Sequence, residues 1–84
     1  MEKRIAVISA ILEGPGEVQD RFNSIVSGYK KIIKGRMGIP FEEEDISVIA
    51  ITVLGTLDQI SSLTGKLGNL PNVSIKTSIS KRVL

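Results

Sequence analysis

The chain has 84 residues with no cysteine and no histidine, which excludes disulfide staples, thiolate chemistry and the sulfur- and imidazole-rich sites that zinc and nickel prefer. Apolar residues make up 42% and charged residues 24%, with a formal charge of +2; that balance suits a globular domain and is too near neutrality to declare a nucleic-acid binder. One domain over residues 1–84 is all this length holds, and a lone chain of this size buries only about 60% of its extended surface, so a second copy is the remaining way to enlarge the core.

Residues 4–12 read as the first strand, because Ile5-Ala6-Val7-Ile8-Ser9-Ala10-Ile11-Leu12 is rich in β-branched side chains and apolar on both faces. It stops at Glu13-Gly14-Pro15-Gly16, where glycine permits unusual backbone angles and proline opens a helix. Over residues 17–29 the period changes: Val18, Phe22, Ile25, Val26 and Tyr29 make one helical stripe, and Gly28 lies near its end. Residues 30–39 set Ile32, Ile33, Met37 and Ile39 among Lys30, Lys31, Lys34 and Arg36, and the middle of this segment reads as an edge strand. Pro40-Phe41-Glu42-Glu43-Glu44-Asp45 reads as a turn, and residues 46–54 as another strand that is apolar on both faces. Thr56 and Gln59 have the spacing of a capping box. The helix they open buries Ile60, Leu63, Leu67 and Leu70, and after Pro71-Asn72 residues 73–79 alternate as a final strand.

The order β-α-β-β-α-β is the ferredoxin-like pattern of an α+β fold, a four-stranded antiparallel sheet with two helices on one face. In it the first and third strands are central, as their unbroken apolar runs require, and the second and fourth are edges. Two helices leave one sheet face open. That face shows either Ile5, Val7 and Ile11 or Ala6, Ile8 and Leu12, with the matching half of residues 46–54. Soluble monomers rarely expose such a patch, so a homo-oligomer, dimer or tetramer, is expected.

Chemistry is sparse along the chain. Gly14-Pro15-Gly16 sits between strand and helix, but Gln19 stands where a dinucleotide fingerprint needs its third glycine. The readings left are a tight turn and a small-ligand loop that uses helix-terminal amides. Gly65-Lys66-Leu67-Gly68 lacks the flanks of a phosphate loop, and its glycines are expected to let the helix approach the sheet closely. The acidic run at 42–45 has no calcium-loop spacing and reads as a solvated turn, so no metal site and no cofactor are expected. A basic rim of Lys3, Arg4, Lys30, Lys31, Lys34 and Arg36 could touch phosphates. The few aromatics fall mostly on the core stripe, which disfavours nucleic acid as a partner. No histidine, cysteine or evidently activated serine is available, so no catalytic residue is assigned and the chain is not expected to be an enzyme. It has neither a signal peptide nor a span-length apolar stretch, so a cytoplasmic location and no membrane contact are expected.

Two strings go further: Arg36-Met37-Gly38-Ile39-Pro40 with its acidic turn, and the run from Leu63-Thr64-Gly65-Lys66-Leu67-Gly68-Asn69-Leu70-Pro71-Asn72 through Val73-Ser74-Ile75-Lys76-Thr77. Together with the opening Met1-Glu2-Lys3-Arg4 they resemble the family of iron-only hydrogenase system regulators, over nearly the whole chain. The resemblance implies a small ACT-like domain, similar also to the sensing domain of nickel-responsive repressors, whose histidine and cysteine ligands are missing here. It implies a regulatory role, with an amino acid or similar small effector bound at a subunit interface near the loop after the first strand; the reading built on it is a non-catalytic homo-oligomer that binds a small anionic effector and passes its state to a protein partner by contact. Carried over, that points to Glu13, Gly14, Pro15 and Gly16, with Arg36 as the anion partner. The readings beside it are a nucleic-acid-binding accessory protein and a structural or assembly module for metallocluster maturation.

Overall fold

A computed structural model describes residues 2–84. The elements are β1 (Arg4–Glu13), α1 (Gly16–Ser27), β2 (Ile33–Phe41), β3 (Ile46–Gly55), α2 (Leu57–Gly68) and β4 (Val73–Ile79). They form the ferredoxin-like arrangement, a four-stranded antiparallel sheet in the order β2-β3-β1-β4. The two strands with the longest uncharged, mainly apolar runs, β1 and β3, are therefore the central pair. Among the described residues no helix is long and apolar enough to cross a membrane.

The pleat sorts β1 into two sets. Ala6, Ile8, Ala10 and Leu12 are buried against the helices, with Ile49, Ile51 and Val53 of β3 beside them. Val18, Phe22 and Val26 of α1 and Ile60, Leu63 and Leu67 of α2 close that core. Each large side chain buried this way contributes roughly 1.5–3 kcal/mol. The other set, Ile5, Val7 and Ile11, faces away from the helices, and Met37, Ile39 and Phe41 of β2 share its face through the register Met37↔Ala50 and Ile39↔Val48. These six side chains are between 41% and 62% exposed.

Several local details differ from the sequence reading. β2 starts at Ile33 and continues through Pro40 and Phe41, so the turn is confined to residues 42–45. Proline fits there because β2 is an edge strand, where a missing N–H costs least. The residues before β2 are tight turns, with Ile32 N–H donating to Tyr29 O (3.1 Å) and Ile33 N–H to Lys30 O (3.3 Å). They lead Ile32 into the core, where its carbonyl accepts from Leu54 N–H at 2.8 Å. α2 opens with the expected capping box: Gln59 N–H donates to Thr56 Oγ1 (3.2 Å) and Thr56 N–H to Gln59 Oε1 (2.9 Å). Gly65 and Gly68 do not bring α2 close to the sheet; both lie exposed with open space where a Cβ would stand. Beyond β4 the chain continues past a bend to lie beside the residue preceding β1, with Leu84 N–H donating to Lys3 O at 2.8 Å.

Candidate functional site

The loop after β1 is built by two backbone hydrogen bonds. Glu13 N–H donates to Asn72 O (2.9 Å) and Gly14 N–H to Asp45 O (2.7 Å), which joins three loops at one end of the sheet. Gly14 has φ +57° and Gly16 φ +21°, in the left-handed region where a side chain is strained. Pro15 is the N-cap of α1 and has no side chain to cap with, so the N–H groups of the first turn are left free of side-chain partners. Pro15 O accepts from Gln19 N–H at 2.8 Å.

Arg36 approaches from β2. Its register partner is the buried Ile51, which places it on the helix side of the sheet. Arg36 Nη2 donates to Asn23 Oδ1 of α1 at 2.6 Å, and the guanidinium carbon lies 5.8 Å from the centre of the Phe22 ring. Cation–π attraction and the hydrogen bond hold this charge over the gap between α1 and β2.

That gap is a groove of about 390 Å³. Pro15 and Gln19 form its α1 wall, Gly38 and Pro40 its β2 wall, Ser47 and Ile49 its floor, and Arg36, Glu42 and Asp45 bring charge to it. Gly38 and Pro40 make the groove, since larger residues facing α1 would fill it. Among the described residues Ser47 is the one buried polar residue. The groove thus combines a fixed cation, two carboxylates and a hydroxyl with apolar side chains, the composition of a small-ligand site.

Of the residues expected at the site, Pro15 and Arg36 line this groove. Gly14 is adjacent, its absent Cβ lying 3.6 Å from Asp45 Oδ2. Gly16 is exposed at the start of α1, and Glu13 lies on the outward face of β1, opposite Ile46. Gln19, Gly38, Asp45 and Ser47 were not legible as site residues. Ser47 lies in an apolar strand and Asp45 in an acidic run, and only the β2–β3 register brings them beside Pro40 and Phe41.

A second polar cluster joins the helices. Tyr29 Oη and Ser62 Oγ are 2.7 Å apart, and Lys66 Nζ lies 5.3 Å from the centre of the Tyr29 ring. The hydrogen bond with Ser62, and after it that with Lys66, holds the phenol below its ordinary value of 10.0. Among the described residues no three carboxylates converge as a metal site would need.

Comparison with known proteins agrees with this architecture. The model of the TM1266-like family, whose name gives its members a provisional role as iron-only hydrogenase system regulators, matches residues 4–77. The solved structure of the uncharacterized protein TM1266 from Thermotoga maritima superposes with a TM-score of 0.91 at 29% identity, covering 95% of this chain and 100% of that one. No curated protein matches the chain.

Proposed function

Because the chain belongs to the TM1266-like family, we propose that it is a non-catalytic regulatory domain of an iron-only hydrogenase system. It works as a homo-oligomer, binds a small anionic effector in the groove between α1 and β2, and passes its state to a protein partner by contact. The observation that carries the oligomer is the outward sheet face, where Ile5, Val7, Ile11, Met37, Ile39 and Phe41 stand open to solvent on neighbouring strands. Free chains rarely leave such a face uncovered.

The groove supports the effector reading. Arg36 offers a carboxylate or phosphate a bidentate donor that Asn23 already orients, and the free first-turn amides of α1 add positive potential nearby. Asp45 favours a ligand that also carries a donor group at its far end. The absence of catalysis rests on what surrounds the nucleophiles: Ser47 shares the groove with Arg36 and carboxylates but with no lysine or histidine to serve as its base.

The test is a thermal-shift screen of small carboxylates and phosphate esters against the purified protein. A ligand at a hundred times its dissociation constant adds about 2.7 kcal/mol of stability. The shift is expected to vanish in Arg36→Ala. A binder whose shift persists in Arg36→Ala would place the site elsewhere, and no shift with any compound would remove the effector from the proposal.

A further inference from the structure

The charges of this chain are sorted along its strands. β1 runs from Arg4 at one end of the sheet to Glu13 at the other, and β3 and β4 return antiparallel to it. The end where β1 stops carries Glu13, Glu17 and Asp20 in the first turns of α1, and the acidic turn 42–45. The opposite end carries Lys3 and Arg4 before and within β1, Lys30, Lys31 and Lys34 where α1 hands over to β2, and Lys81 and Arg82 after β4. Arg21, Lys66 and the Arg36 guanidinium in the groove on the acidic half, and Glu2 and Asp58 on the basic half, run against this order, while Lys76 sits at mid-length. The Cα trace measures 42 × 18 × 17 Å, so the molecule is a rod with opposite charge at its two ends. The apolar outward face lies between them.

We infer that this face takes a second copy of the chain in antiparallel orientation, about a two-fold axis that lies in the interface and crosses the strands. The inference rests on the homo-oligomer reading above and specifies its geometry. Face-to-face packing of identical sheets has two simple closed forms. With the axis along the strands, acidic end meets acidic end, and β2 lies over the partner's β4, setting Met37 and Ile39 against the outward Ser74, Lys76 and Ser78. With the axis across the strands, each acidic end meets a basic end, and β2 lies over β2, apolar on apolar. Charge and hydrophobic pattern independently select the second form. The usual rotation of about 30° between packed sheets leaves that order intact.

The dimensions agree. A face of 42 × 18 Å offers roughly 750 Å² of footprint, close to the ~800 Å² per partner of a stable interface. Sheets pack about 10 Å apart, slightly more than the ~8 Å screening length of physiological salt, so the end charges are partly screened and their attraction depends on ionic strength. The one like-charge approach is between the two Lys76 side chains, at mid-length on the β4 rim, where both remain in water.

The chain contains no cysteine, so Glu43→Cys gives a single labelling site in the acidic turn, and dipolar spin-label spectroscopy reads the distance between copies. The antiparallel pair places the labels at opposite ends of the rod, about 40 Å apart, against roughly 20 Å or less for the parallel pair. The second readout is salt. Sedimentation equilibrium is expected to show the dimer weakening as ionic strength rises, and the triple reversal Glu42→Lys, Glu43→Lys, Glu44→Lys, checked for folding by circular dichroism, is expected to weaken it at least tenfold. Labels within 20 Å, a dimer that tightens with salt, or a reversal that leaves affinity unchanged would each overturn the orientation. A wild-type monomer at every concentration would instead overturn the homo-oligomer reading beneath it.

Discussion

The two faces of β1 give a paired test of the fold and its open surface. Ile8 is fully buried between its register partners Ile51 and Thr77, whereas Ile11, three residues on, is 45% exposed between Val48 and Ser74. Ile8→Ala removes side-chain volume from a closed core and is expected to cost about 3 kcal/mol, within the usual 2–5 kcal/mol for such truncations. At 4–8 °C per kcal/mol for a domain of this size, that lowers Tm by roughly 12–24 °C. Ile11→Ala gives up only about half a side chain's burial in the isolated chain, which is worth roughly 1 kcal/mol. Its cost should grow with protein concentration, because a partner that binds only the native state stabilises it by mass action. Urea unfolding of both variants across a hundredfold range of concentration separates the terms. If Ile11→Ala costs as much as Ile8→Ala at the lowest concentration, the faces have been assigned wrongly.

Other consequences follow from single sites. Thr56→Ala removes the acceptor for Gln59 N–H and should destabilise the fold by about 1 kcal/mol in urea unfolding. Gly55→Ala would set a Cβ 2.9 Å from Gln59 Oε1 and 3.2 Å from Ile32 Cγ2, which should cost about 1–3 kcal/mol by overpacking; a neutral result would mean that α2 and Ile32 can yield. Tyr29 is the sole tyrosine, so phenolate absorbance reports it alone. Its midpoint should lie below 10.0, held there by Ser62 and then Lys66, and should rise in Lys66→Met. A phenol depressed in the folded state adds stability only where it is ionised, above its unfolded value, and that contribution fades as pH falls through the folded midpoint. Lys66→Met should therefore change the high-pH limb of a stability profile and leave its neutral-pH value almost unaltered through this pair.

What could be read from the sequence was what short-range pattern controls. The long apolar runs of β1 and β3, interrupted only by Ser9, Ser47 and Thr52, identify central strands because they carry no charge between Ile5 and Leu12 or between Ile46 and Leu54, and Thr56 with Gln59 fixes the start of α2 within one turn. Pro40 misled because proline usually marks a turn, while an edge strand accommodates it. Ile32 stands among the lysines ahead of the edge strand with no sign that it is core, and only the turns after α1 carry it inward beside Gly55. Two of the groove's lining residues were legible, since Pro15 follows a strand and Arg36 lies in a recognisable string. The groove itself was not. It exists because small Gly38 and rigid Pro40 face α1 across a register that only the assembled sheet defines, and because Asn23 happens to lie within reach of Arg36.

The central claim is that the outward sheet face is covered by another copy of the chain, and native mass spectrometry of the freshly purified protein tests it most directly, with Val7→Asp measured alongside. Val7 is 41% exposed on a central strand, so the aspartate can be solvated in a free monomer but not between two packed sheets. The wild-type protein should be an even-numbered oligomer and the folded Val7→Asp variant a monomer. A monomeric wild-type protein, or a variant that assembles as the wild type does, would contradict it.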